Sequence, residues 1–174
     1  MRLKGLLAIV ALISILGGAC ATRAGSSQQA ASVQPSGSPA SAADCHPTQP
    51  ATTFTPPSPY PKEPAAVYHS AWFGTAALWT MLRPSDRADG RNQKLFWWSA
   101  DFDATREPEP AISVTGRRLD GSGSFKIGSP GTNATADFGT AMLVGVEFPS
   151  GGCWQITGHY RGVDLSYVEW VVND

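Results

Sequence analysis

Apolar and polar positions follow two regimes that meet near residue 67. Downstream, short runs rich in Val, Ile, Trp, Phe, Tyr and Thr alternate with clusters of Gly, Pro, Asp and Ser. That is the punctuation of strands and turns. The pattern predicts strands near 67–73, 76–82, 94–99, 111–118, 141–148, 153–160 and 164–172. In the fourth, Ile112 and Val114 oppose Ser113 and Thr115. In the last, Val163, Leu165, Tyr167 and Glu169 share one face, while Asp164, Ser166, Val168 and Trp170 share the other. Arg161-Gly162 suits a two-residue hairpin turn. The stretch 120–137 is Gly- and Ser-rich, with Phe125 and Ile127 as its main apolar anchors, and reads as a long loop with one short strand. No window after the first nineteen residues shows an apolar period of 3.6, so helices are not expected. About seven short strands without helices predict an all-β, antiparallel sandwich over 67–174, with a small barrel as the alternative.

Upstream, the pattern is of a different kind. Arg2 and Lys4 precede an unbroken apolar run, Leu6 to Leu16, and then small residues before Cys20. Residues 1–19 therefore read as a secretory signal peptide, too short to span a bilayer permanently. Residues 20–44 are mostly Ala, Ser, Gly, Gln, Pro and Thr with almost no charge, a composition that cannot bury a core and reads as a flexible linker. Residues 45–66 form a Pro-rich leader, which favours extended polyproline II and excludes helix. Phe54 and Tyr60 are its candidate contacts with the domain.

Charge narrows the partners. The chain has 13 Lys and Arg against 14 Asp and Glu. Without residues 1–19 the balance is 11 against 14. No basic excess exists to neutralise phosphates, so nucleic acid is not an expected partner.

Leu16-Gly17-Gly18-Ala19-Cys20 resembles the lipobox of bacterial lipoproteins, with Leu16 one place further from the cysteine than the family pattern puts it. The resemblance implies a diacylglycerol on Cys20, and with it stable attachment to a membrane. The rival reading is cleavage after Ala21 and release. Ala21 after Cys20 resembles the outer-membrane sorting pattern of a double-membraned cell; with one membrane, the anchor sits on its outer face. Beyond Cys20 only Cys45 and Cys153 remain, an even pair in an exported chain, which predicts a disulfide.

Phe148-Pro149-Ser150-Gly151-Gly152-Cys153-Trp154-Gln155-Ile156-Thr157-Gly158 resembles the C-terminal FPxxGCWxVTG signature of a group of uncharacterised bacterial exported proteins and lipoproteins. Cys45 to Pro50, Gly74 to Leu82, Phe96 to Ser99 and Val114 to Gly121 resemble the group as well. The resemblance implies an immunoglobulin-like sandwich and supports pairing of Cys45 with Cys153. It carries over no catalytic residue.

Chemistry is sparse. There is no G-x-S-x-G, no C-x-x-C and no zinc-like histidine spacing among His46, His69 and His159. No catalytic residue, metal site or cofactor is expected, and the chain does not read as an enzyme. Asp101, Asp103, Glu107 and Glu109 crowd one segment but lack calcium-loop spacing, and read as a solvated loop. Adjacent Trp97 and Trp98 must point to opposite faces of a strand. One fits the core; the other faces a partner or lies beneath the leader. Two functions follow as expectations. One is a non-enzymatic envelope module that binds another envelope protein. The other is a ligand-binding domain for sugar, peptide or metal that uses the outward Trp of the 97–98 pair.

Overall fold

The computed structural model describes residues 44–49, 54–64, 69–83, 90–136 and 139–173. The signal peptide, Cys20 and nearly all of the linker lie outside the described residues. Nine strands are present among them: β1 (Ala71–Thr75), β2 (Leu78–Leu82), β3 (Asn92–Trp98), β4 (Ser113–Arg118), β5 (Ser124–Ile127), β6 (Thr132–Ala136), β7 (Gly139–Glu147), β8 (Gly152–Tyr160) and β9 (Val163–Val171). They form two antiparallel sheets, ordered β1-β2-β3-β7-β6 and β5-β4-β8-β9. The fold is an all-β sandwich. The order β2-β3-β7-β6 facing β5-β4-β8-β9 matches the strand order of immunoglobulin-type sandwiches, with β1 added at one edge.

The expected strands are all present, with ends displaced by a few residues. The count of about seven is corrected to nine. The stretch 120–137 holds two strands rather than one, because Phe125 and Ile127 alternate with Ser124 and Lys126. Thr132 to Ala136 then pairs along β7.

The core follows from alternation. Leu95 and Trp97 of β3, Val114 of β4, Met142, Val144 and Val146 of β7, and Trp154 and Ile156 of β8 all face the space between the sheets. Trp97 is fully buried there, tilted against Tyr167 with ring centroids 5.9 Å apart. Its ring is seated on Gly158, where a Cβ would lie 2.6 Å from a ring carbon. A buried Trp removes roughly 200 Å² from water, about 5 kcal/mol before the entropic cost of ordering it. Any side chain at 158 would displace that ring, which gives the glycine a packing reason. Trp154 is buried beside Phe148 and Phe125, at 5.5 and 5.7 Å.

The β8–β9 turn has φ of 49° at Arg161 and 79° at Gly162. Positive φ at both central residues is the tight hairpin geometry expected of Arg-Gly.

Candidate functional site

The two sheets differ on their outer faces. On the five-stranded sheet, Trp72, Trp79, Trp98 and Ala141 form a second buried cluster, joined by Phe54, Tyr60, Met81 and Phe96. Phe54 and Tyr60 come from the leader. Tyr60 meets Trp79 edge-on at 5.0 Å, and Phe54 lies 5.9 Å from the same ring. Burial raises the Tyr60 phenol above its ordinary range. Trp72 packs edge-on against Trp98 at 4.9 Å. Its indole N–H donates to the Pro61 carbonyl at 3.0 Å. An extended Pro-rich segment leaves its carbonyls without partners of their own, so they are available to a donor of this kind.

The expected outward Trp of the 97–98 pair is therefore corrected. The pair does point to opposite faces, yet both side chains are fully buried. Trp97 lies between the sheets and Trp98 lies in the outer aromatic cluster. Neither is available to a ligand.

The leader is fastened at the other sheet. Cys45 and Cys153 are joined by a disulfide, with Cα atoms 5.5 Å apart. Cys153 alternates with Trp154, so the bridge sits on the outside of β8 while Trp154 fills the core. Next along the leader, the Thr48 N–H donates to the Val168 carbonyl, and the Val168 N–H donates to the Thr48 hydroxyl, both at 2.8 Å. The leader thus caps part of the free edge of β9, which would otherwise be a template for unwanted pairing. Nothing in the local sequence around Thr48 announces that contact.

At one end of the four-stranded sheet the outer face is covered by the Cys45–Cys153 bridge, beside Trp170; towards the β8–β9 turn it is polar. Its side chains pair across strands. The Thr115 hydroxyl lies 2.8 Å from His159 Nε2, and His159 Nδ1 lies 2.7 Å from Asp164. Thr157 and Ser166 share a hydrogen bond of 2.7 Å, and Arg117 donates to Gln155 at 3.0 Å. These residues sit directly opposite one another: Thr115 and Thr157, Arg117 and Gln155, Thr157 and Ser166, His159 and Asp164. Cross-strand pairs of this kind hold the face in one arrangement. His159 is thus tied into a row with a carboxylate and a hydroxyl. Among the described residues, no three His, Cys, Asp or Glu side chains converge as a metal site.

The acidic run is only partly a solvated loop. Glu107 accepts hydrogen bonds from the Tyr160 hydroxyl at 2.7 Å, from Arg161 at 2.8 Å and from the Ala111 N–H at 2.6 Å. Burial would raise its carboxyl pKa, but these donors outweigh burial and hold it below the usual range. Burial and the bond to Glu107 push the Tyr160 phenol well above its ordinary value. Arg161 also lies 5.1 Å above the Tyr160 ring. Glu107 therefore locks the connection between the sheets to the β8–β9 turn. At the opposite end of β8, Arg118 donates to Asp120 at 2.6 Å and to Ser150 at 3.1 Å. Gly152 lies beneath this pair; a Cβ there would come 2.7 Å from Arg118. The segments Val114 to Gly121 and Phe148 to Gly158 thus meet in space, and the polar residues they share serve structure.

Comparison with protein-family models, with curated proteins and with solved structures returned no match.

Proposed function

We propose that the protein is a membrane-anchored lipoprotein of a bacterial envelope, and that its sandwich is a non-enzymatic module that binds another envelope protein. One observation carries the reading: the outer face of one sheet is covered by aromatic residues of the chain's own leader, while the part of the other near the β8–β9 turn presents mutually bonded polar side chains. A face already held in place by cross-strand bonds needs little ordering when a partner docks, which lowers the entropic cost of binding. The signal peptide, Cys20 and the linker supply the address and the attachment. The alternative, a ligand site built on Trp97 and Trp98, loses support from the burial of both rings.

Site-specific photo-crosslinking in native membranes tests the reading. A crosslinker in place of exposed Ser166, on the open face, is expected to capture one envelope protein reproducibly. A crosslinker in place of exposed Lys62, on the leader, is the control. Equal capture from both positions, or none from Ser166, would sink the proposal. Cys20→Ser is expected to move the protein from the membrane to the soluble fraction; unchanged fractionation would remove the anchor from it.

A further inference from the structure

Four strands stand at sheet edges: β1, β6, β5 and β9. Three have neighbours. Thr48 occupies both backbone groups of Val168 in β9. The Asn133 side chain in β6 donates to the Pro108 carbonyl at 3.0 Å, which brings that loop to the strand. At β1, a Cβ on Gly74 would come 2.9 Å from the Leu165 side chain of β9. Among the described residues, no strand or loop backbone bonds to the outer side of β1, β5 or β6, and of these three strands only β5 carries a charged side chain, Lys126.

We infer that the free side of β5 is an edge-pairing site for an extended partner segment in which acidic and apolar residues alternate. The inference rests on the reading of the domain as an interaction module and specifies the chemistry of the partner. Ser124 and Lys126 are exposed, while Phe125 and Ile127 are half-buried and packed against the core. A strand added to β5 would set every second residue beside Phe125 or Ile127, and the residues between beside Ser124 or Lys126. The first set is apolar. The second is acidic, because Lys126 lies opposite Thr115 and Arg117 is bonded to a neutral Gln155. Opposite charges across strands attract and like charges repel.

The strand is also firmly held. The Phe125 ring packs onto Gly116, which has no Cβ to obstruct it, and meets Phe148 edge-on at 5.1 Å. A lysine on an edge strand commonly guards against indiscriminate pairing. The same charge disfavours a second copy of this chain at that edge, since Lys126 would approach Lys126, and it admits an acidic strand.

The test uses the full chain and a labelled ten-residue peptide of alternating Glu and Val. A Lys–Val peptide and a Glu–Val peptide N-methylated at alternate residues are the controls. Fluorescence anisotropy is expected to show the Glu–Val peptide binding about tenfold more tightly than the Lys–Val peptide, and the methylated peptide not binding. Amide hydrogen exchange is expected to slow at residues 124–127 on binding. Lys126→Glu, an exposed substitution, is expected to reverse the peptide order with the melting temperature unchanged. No binding, no protection at 124–127, or an order that survives Lys126→Glu would each overturn the inference. The Ser166 crosslink keeps the two readings apart. A partner captured equally by the Lys126→Glu protein overturns the edge site alone. A peptide bound and protected as expected, with no partner captured in membranes, overturns the envelope module alone.

Discussion

The two outer faces of the sandwich solve the same problem in opposite ways. Both sheets bury their inner faces against each other. Outside, the five-stranded sheet carries large indoles and needs a lid, and the leader supplies it. The four-stranded sheet carries hydroxyls, an imidazole and charged groups, and pairs many of them across its own strands. The difference teaches that residues 45–49 and 54–64 belong to the domain and are more than a route to it. A Trp on an exterior strand face is no indication of a ligand when the same chain carries a Pro-rich segment with aromatic residues.

Breaking the lid should cost far more than breaking the polar rows. Replacing Cys45 and Cys153 together by Ser releases a loop of 108 residues. The chain-entropy model puts the loss at about 4–5 kcal/mol, measurable by urea denaturation. Tyr60→Ala removes a half-buried ring from Trp79 and is expected to cost about 2 kcal/mol, with Trp fluorescence becoming more solvent-sensitive. Glu107→Gln acts on neither face and so calibrates both; a loss of about 1–2 kcal/mol is expected at pH 7. The Glu107 carboxyl is held below its ordinary range in the fold, so its stabilisation is complete above the unfolded value of roughly 4.3. It is lost as the pH falls through the lower folded value. The gap between wild type and Glu107→Gln should therefore close on acidification below about pH 4, as melting curves would show. Thr157→Val combined with Ser166→Ala removes both partners of one row, and a change within about 1 kcal/mol is expected. A larger loss there would mean that the polar rows contribute more to stability than exposed cross-strand pairs usually do.

Much of the fold was legible because strand periodicity is a local property. Ile112, Val114 and Tyr167 declared their faces by alternation alone. The disulfide was legible by count. One short strand in 120–137 was legible from Phe125 and Ile127, which stand two residues apart; β6 escaped because Thr132 to Ala136 holds no large apolar residue to mark an alternation. The opposition of Trp97 and Trp98 was legible, and burial with the leader stood among the expectations for the second ring, but the choice between leader and partner was not legible. That depends on a leader whose composition predicts an extended backbone and says nothing of its path. Glu107 was missed for the same reason. Its partners Tyr160 and Arg161 are more than fifty residues away, and only the sandwich brings them together. Of the candidate site, the proposed anchor rests on the sequence alone, whereas the open face and the free edge emerge only from topology.

The bridge from Cys45 to Cys153 also decides how the domain bears load. A pull on the chain upstream of Cys45 passes through sulfur directly into β8, which is flanked on both sides by hydrogen-bonded strands. The intervening chain is electrically and chemically part of the domain but mechanically out of the line of force. At about 3.4 Å per residue, the 108-residue separation hides on the order of 370 Å of contour length from extension. Such a pull would leave the leader seated on its aromatic face, and the domain would yield, if at all, by shearing β8 from β4 and β9.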